Sequence, residues 1–181
     1  MPVKSRRAIH RAIPMNLNGL LQSVQGSHLG AAISGSSGWG WWFPNIETIH
    51  VLSIALLFGT ILMVDLRLLG LTSSGSAVSK LSNEVLPYTW VGFAVAVVTG
   101  TLLFISKATI YFYNLQFQLK MLFMLLAGIN MAVFHVGVYR NVRAWNEVLR
   151  PPLAARLAGA LSIGFWITVI FMGRWMGFTV Q

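Results

Sequence analysis

The residues that decide the fold are 48–64, which read TIHVLSIALLFGTILMV and lie between Glu47 and Asp65. His50 is the one acidic or basic side chain in this stretch. Three further stretches of similar length lack charged residues, and they are bounded by Glu84 and Lys107, by Lys120 and Arg140, and by Arg156 and Arg174. A helix that crosses a bilayer needs about 20 mostly apolar residues. The sequence therefore predicts four membrane-spanning helices.

The composition agrees with an integral membrane protein. Hydrophobic residues make up 56% of the 181 residues and charged residues only 9%. Soluble domains carry about 25% charged residues. Membrane β-barrels show alternating segments of about 10 residues, whereas these apolar runs are continuous. We therefore expect an all-α, four-helix transmembrane bundle in a bacterial cytoplasmic membrane. The absence of cysteine excludes disulfides, thiolate metal sites and c-type haem attachment.

The chain divides into residues 1–44 and a four-helix domain, residues 45–181. The first part is expected to hold a basic tail, a short interfacial helix over residues 15–24 and a tryptophan-rich belt at residues 39–43. The four helices are expected over residues 45–69, 87–106, 118–139 and 153–178. Pro44 and Pro87 suit helix starts, because proline lacks the N–H that the first turn leaves unpaired.

Basic residues cluster at the expected helix ends. The net charge of +9 therefore indicates contact with lipid headgroups rather than a nucleic-acid partner. Four spans put both termini on one face of the membrane, named side A here. The loops between helices one and two and between helices three and four lie on the opposite face, side B. Side B carries more Lys and Arg near the helix ends, so the positive-inside rule predicts that it is cytoplasmic.

Glu47 and Asp65 lie at opposite ends of the first helix. Their separation corresponds to about five helical turns, so both carboxyls should point toward the bundle interior. Each is expected to form a structural ion pair with a nearby cation. The candidate cations are Lys120 and Arg174 for Glu47, and Arg67, Arg140 and Arg143 for Asp65.

His50 and His135 are the ionisable side chains, other than tyrosines, inside the spans. Such a residue within a membrane helix indicates a functional site by default. The two helices run in the same direction, and the depths of the two histidines differ by about 20 Å. One haem iron cannot bind both. They therefore define two separate candidate sites for haem or a metal ion, each of which needs another ligand.

Methionines supply candidate second ligands, because imidazole with thioether suits low-spin haem or Cu(I). Near His50 the candidates are Met172, Met176, Met121, Met124 and His28, with Lys107, Lys120 and Arg174 to hold haem propionates. Near His135 the candidates are Met63 and Met131. These residues favour side A as the cofactor site. A purely structural or proton-relay role for both histidines is the alternative, because methionine commonly fills apolar cores.

Small and amide residues inside the spans are expected to serve helix packing. Asn130 should hydrogen-bond a neighbouring helix, with Thr60 and Thr99 as candidate partners. Several glycines would let helices approach closely or leave room for a flat cofactor. They are Gly59, Gly92, Gly100, Gly128, Gly159 and Gly164.

Residues 44–59, PNIETIHVLSIALLFG, followed by residues 65–70, DLRLLG, resemble a family of small, uncharacterised bacterial four-helix membrane proteins. Further matching positions are residues 88–93 and 99–100, Lys120 and residues 130–135. The resemblance covers residues 27–178. It implies four transmembrane helices and no established activity. More loosely, the His-led first span is similar to that of copper-resistance D membrane proteins and cytochrome-b-type bundles, which favours haem or copper without identifying ligands.

The function we expect is that of a small integral membrane subunit of an electron-transfer assembly. The favoured cofactor is b-type haem at His50 or His135, ahead of copper. One alternative is a cofactor-free subunit that anchors a larger membrane complex, and another is a small copper-handling or transport protein. The expected partners are the bilayer and other membrane or redox subunits. The sequence has no hydrolase triad or phosphate-binding loop, so we expect no catalytic activity of its own.

Overall fold

The computed structural model describes residues 16–35, 40–72, 77–145 and 151–179. Over these residues the chain is helical and contains no strand, which confirms the predicted all-α class. The predicted basic tail, residues 1–15, lies outside the described residues, as do Trp39 of the predicted belt and the side chain of Arg143.

Four long helical segments dominate the described residues. They are α3 (Trp42–Leu68), α4 (Val78–Ser106), α6 (Leu115–Val133) and α7 (Leu153–Thr179). A π-helical turn (Phe134–Val138) and a 3₁₀ segment (Tyr139–Ala144) continue α6. All four segments are long and apolar enough to cross a membrane, and the four predicted spans are confirmed to that extent. The protein is a multi-pass membrane protein whose apolar helix surfaces contact lipid.

The second span begins nine residues before the predicted start, at Val78 rather than Pro87. The prediction placed Pro87 at the helix start because proline cannot donate the backbone hydrogen bond of a helix interior. In the structure Val78 is buried in an apolar cluster with Leu68 and Phe134. Burial of this earlier part of α4 therefore outweighs the local preference of Pro87.

The first span ends where the backbone turns left-handed at Gly70, with φ of +76°. The N–H of Leu71 donates to the carbonyl of Leu66 at 3.0 Å, and the N–H of Gly70 donates to Arg67 at 3.1 Å. Glycine has no Cβ and adopts this left-handed conformation at little cost, which is why it commonly follows the last turn of a helix. Gly70 therefore fixes the side B end of α3.

Three short helices lie on side A. They are α1 (Leu17–Gln25), α2 (His28–Ser34) and α5 (Ala108–Tyr113). α1 matches the predicted interfacial helix within two residues at its start. The other two lie in stretches where no helix was predicted. The side-chain oxygen of Gln25 accepts hydrogen bonds from the backbone and hydroxyl of Thr109, at 3.1 and 2.6 Å, and so ties α1 to α5.

α3 packs against both α4 and α7, and α6 packs against α7. Two glycines allow the closest approaches. A Cβ on Gly92 of α4 would lie 3.1 Å from the backbone nitrogen of Leu57, and one on Gly159 of α7 would lie 3.0 Å from the carbonyl of Asp65. Small residues at helix contacts are typical of membrane bundles. α4 and α6, in contrast, make little contact with each other, so the bundle is open on one side.

Candidate functional site

The open side of the bundle is a groove of about 640 Å³ between α4 and α6. α3 and α7 form its floor, with Leu57 and Asp65 on α3 and Ser162 and Trp166 on α7. The walls and floor of the groove belong to the four helices that are long and apolar enough to span a membrane.

The lining of the groove is mostly apolar and aromatic. The aromatic side chains along it are Trp90, Phe93, Phe134, Tyr139 and Trp166. The polar ones are Asp65, Ser82, Thr89, Asn130, His135 and Ser162. Large apolar pockets with a few convergent polar groups are the usual form of a small-molecule site.

Asp65 is the buried acid of this groove. Its side chain is 6% exposed, and the hydroxyl of Ser162 on α7 lies beside its carboxyl. The oxygen Oδ2 has no hydrogen-bond partner. A buried polar atom without a partner is costly and rare, and more so where lipid rather than water surrounds the protein. Asp65 therefore needs an explanation beyond packing.

Of the predicted ion pairs of Asp65, those with Arg67 and Arg140 are not seen. Among the side chains that the structure describes, which do not include that of Arg143, no Lys or Arg comes within salt-bridge distance of the Asp65 carboxyl. Arg67 is fully buried, but it is two residues further along α3 and does not line the groove. Residues two apart on a helix do not face each other. Arg140 is exposed at the side B end of the α6 segment.

His135 borders the groove from the π-helical turn that continues α6. Its Nδ1 lies 3.0 Å from the carbonyl of Met131. Because a carbonyl only accepts, Nδ1 carries the proton and the neutral ring keeps its lone pair on Nε2. Its ring also packs against Phe134 and Tyr139, with centroids 5.7 and 5.2 Å apart. A π-helical turn within a helix frequently marks a functional site.

The structure does not supply the predicted partners of His135. Met63 is exposed and does not line the groove, and Met131 lies one turn away on the same helix. Two residues of one helix face cannot bind opposite sides of one haem iron. The groove-lining residues of α4 include no histidine or methionine. The described lining residues on α3 and α7 include none either, so no other helix supplies a histidine or methionine to bind opposite His135.

His50 lies in a different layer, in the contact between α3 and α4. Its Nδ1 is 2.8 Å from the hydroxyl oxygen of Thr99, and that hydroxyl donates to the carbonyl of Val95 at 2.7 Å. A Cβ on Gly100 would lie 2.9 Å from the Cε1 of His50, so the glycine makes room for the ring. His50 does not line the groove. Its observed contacts are those of a side chain that joins two helices.

The other predicted residues of the His50 site are close to it only in part. Lys120 acts electrostatically on His50, and its side chain lies near Gly173 of α7. Met172 and Met176 are half-buried on α7, and Arg174 is exposed. No hydrogen bond joins His50 to either methionine among the described residues. The cavity lies toward side B, away from this layer, whereas the sequence had favoured side A.

Glu47 also differs from its prediction. It is exposed near the start of α3 and, within the described residues, forms no ion pair with Lys120 or Arg174. Its charge acts instead on Tyr111 of α5. Burial, and secondarily the negative charge of Glu47, raises the pKa of the Tyr111 phenol above its ordinary value. The nearest basic residue along α5, Lys107, lies over the ring of Phe43, 5.4 Å from its centroid.

The side-chain amide of Asn130 binds a neighbouring helix as predicted, but its partner is not one of the predicted residues. Its side-chain N–H donates to the carbonyl of Ala158 on α7 at 2.9 Å, rather than to Thr60 or Thr99. The hydroxyl of Thr89 on α4 donates to that of Thr60 on α3 at 3.0 Å. Thr99 is the partner of His50. Asn130, Thr89 and His50 thus each bind an adjacent helix, and the order of the helices in the bundle decides which one.

The described residues contain no group of side chains that is arranged as a metal-binding site. No three histidine or acidic side chains among them come together as a set that could hold a metal ion. The copper and haem assignments at His50 and His135 therefore stay predictions.

Comparison with known proteins places the chain in a family. A family model described as a family of unknown function, DUF6644, matches residues 24–179. The chain belongs to this family. No curated protein and no solved structure shows significant similarity to it. The predicted kinship with a family of unknown function is confirmed, whereas the looser likeness to copper-resistance D proteins and cytochrome-b bundles finds no support.

Proposed function

We propose that this DUF6644 protein is a small membrane subunit that holds one lipophilic molecule in the groove between α4 and α6. The observation that carries the proposal is the carboxyl of Asp65, which is buried at the groove and has an oxygen without a hydrogen-bond partner. Leaving a buried acceptor unsatisfied costs about 1–3 kcal/mol. A bound molecule with a donor group would remove that cost.

The size and lining of the groove support the same proposal. Its volume of about 640 Å³ falls in the usual range for small-molecule pockets, about 300–1,000 Å³. The walls are apolar, so a ligand would enter from the bilayer rather than from water. The electron-transfer role expected from the sequence fits this proposal if the bound molecule is redox-active.

A pair of glycine substitutions tests the proposal. Gly128 of α6 borders the groove, and a Cβ placed there meets nothing within 4 Å. Gly128→Phe should therefore fill the groove without a clash in the helix contacts. Gly164→Phe is the matched control, because Gly164 of α7 is equally open but does not line the groove.

The measurement is native mass spectrometry of the full chain released from a mild detergent. The wild-type protein and Gly164→Phe should carry a small lipophilic molecule that Gly128→Phe has lost. Equal occupancy in all three proteins would contradict the proposal, and so would a second polypeptide in place of a small molecule.

Haem is a second candidate occupant, favoured by one observation. The Nδ1–H of His135 is held by the Met131 carbonyl, so its Nε2 is the free ligand nitrogen at the groove. Hydrogen bonding of the second ring nitrogen is a common way to orient a ligating histidine. With haem bound, the group would supply one-electron redox chemistry, and His135 would be the residue that holds the iron.

A reduced-minus-oxidised visible spectrum of the purified protein tests the haem candidate. A b-type α-band that disappears in His135→Ala and survives in His50→Ala would support haem in the groove. A band that is lost only in His50→Ala would assign the haem to the site around His50 instead of the groove. No band in protein expressed with ample haem would exclude haem as the occupant.

A further inference from the structure

The geometry points to a lipophilic cation as the molecule that the groove binds, with its positive group against Asp65. This inference rests on the proposed function and adds the chemical class of the ligand. Ammonium and phosphonium groups with large apolar substituents are members of that class. The contact would be an ion pair in an environment of low polarity, where Coulomb attraction is strong.

The charge of the lining carries the inference. Among the described residues that line the groove, Asp65 is the only Asp, Glu, Lys or Arg side chain. A carboxylate buried without a cation is costly, whereas a paired one is tolerated. Among the described side chains, which do not include that of Arg143, no Lys or Arg reaches the Asp65 carboxyl, and a cationic ligand would supply a partner there.

The aromatic lining fits the same class. Trp90 on α4, Trp166 on α7 and Tyr139 after the π-helical turn lie on three sides of the groove. Aromatic faces attract cations within about 6 Å, and more strongly when the cation is desolvated. The same faces give no comparable attraction to an anion.

The position of Asp65 in the groove determines how the bound ligand would be oriented. Asp65 lies one turn before the side B end of α3, which is at Leu68. The apolar lining extends from there toward Leu57 on α3 and Met121 on α6, deeper in the bundle. The charged head would therefore lie near the side B surface and the apolar part toward the membrane centre. Amphiphiles adopt this orientation in a bilayer.

The inference excludes ligands with a negative head, including a fatty acid. A carboxylate ligand would place a second negative charge near Asp65, and like charges at close range strongly disfavour each other. Haem fits only if its propionates point away from Asp65. The charge of the group that lies against Asp65 therefore distinguishes a lipophilic cation from haem as the molecule in the groove.

Two ions of nearly the same shape and opposite charge provide the test. Radiolabelled tetraphenylphosphonium is titrated onto the purified full chain in a nonionic detergent, and radiolabelled tetraphenylborate is titrated in a separate experiment, because the two ions associate with each other. The phosphonium should bind saturably and weaken about tenfold or more in Asp65→Asn, because a charge-assisted contact is lost. Asp65→Glu should keep most of the binding. Glu84→Gln is the matched control, because Glu84 is an exposed acid of α4 that does not line the groove.

Several results would overturn the inference. Equal affinity of wild type and Asp65→Asn for the phosphonium is one, and binding of tetraphenylborate to the wild type as tight as that of the phosphonium is another. If Asp65→Asn does not fold, as judged by gel filtration, the comparison of the two ions on the wild-type protein decides. If Gly128→Phe still expels a native lipophile while charge has no effect, only the cation inference fails. If Gly128→Phe expels nothing, the proposed function fails as well.

Discussion

The imidazole of His50 donates its Nδ1 proton to the hydroxyl oxygen of Thr99, 2.8 Å away, across the contact between α3 and α4. The donor is assigned because the Thr99 hydroxyl already gives its proton to the Val95 carbonyl, at 2.7 Å. The ring lies over Gly100, which has no side chain to obstruct it. The first span is thus joined to the second by a polar contact within the membrane.

Removal of the Thr99 hydroxyl should weaken that contact. Thr99→Val keeps the shape of the side chain and leaves the half-buried Nδ1 of His50 without its partner. Hydrogen bonds between membrane helices contribute about 0.6 kcal/mol on average and about 1.7 kcal/mol at most. We expect a lower melting temperature in detergent, followed by circular dichroism.

The control for this substitution is Thr101→Val on the same helix. The Thr101 hydroxyl is exposed and donates to the carbonyl of Val97 within α4, so its loss should hardly change the melting temperature. If both variants melt at the same temperature, the bond between His50 and Thr99 does not stabilise the bundle.

A methyl group at Gly92 should disturb the same helix contact by crowding. In Gly92→Ala, the Cβ would lie 3.1 Å from the Leu57 nitrogen and 3.2 Å from the Ser53 carbonyl, and both are backbone atoms that cannot rotate away. Overpacking of this kind costs about 1–3 kcal/mol. Gly59→Ala is the control, because a Cβ there meets nothing within 4 Å. Thermal unfolding should show a loss of stability in Gly92→Ala alone, and equal stability of the two variants would refute the close approach.

The phenol of Tyr111 on α5 should titrate with a raised pKa that depends partly on Glu47. Burial is the larger cause and the charge of Glu47 the smaller one, so Glu47→Gln should lower the pKa of Tyr111 without restoring its ordinary value. The measurement is the ultraviolet absorbance of tyrosinate during an alkaline titration, with Tyr111→Phe to identify the signal.

The same pKa shift has a consequence for stability. The folded protein holds the Tyr111 proton more tightly than the unfolded chain does. The contribution of Tyr111 is therefore fully present below the ordinary tyrosine pKa and is lost as the pH rises through the raised value. An unchanged pKa of Tyr111 in Glu47→Gln would show that the two groups do not interact.

The sequence predicts the spans well because their signal is local. Uncharged runs of helical length identify all four, and the largest error, nine residues at the start of α4, came from the local preference of Pro87. Asn130 and Thr99 were expected to bind other helices, and each does. Their partners could not be predicted, because a partner depends on the order of helices around the bundle.

The groove itself has no signal in the sequence. In lipid, a helix surface that faces the bilayer is as apolar as one that faces another helix or an apolar cavity. Leu57 and Leu125, which line the groove, therefore look like ordinary lipid-facing or packing residues. The candidate role of Asp65 could not be predicted from the sequence, for another reason. An acid near a helix end with several basic residues nearby resembles one half of an ion pair, and only the structure places it beside Ser162 at the groove.

The most direct test of a ligand-binding groove is a crystal structure of the full chain grown in a lipid mesophase. The account predicts elongated electron density between α4 and α6, with one end in contact with the carboxyl of Asp65. Direct contact between the side chains of α4 and α6, with no density between them, would contradict it.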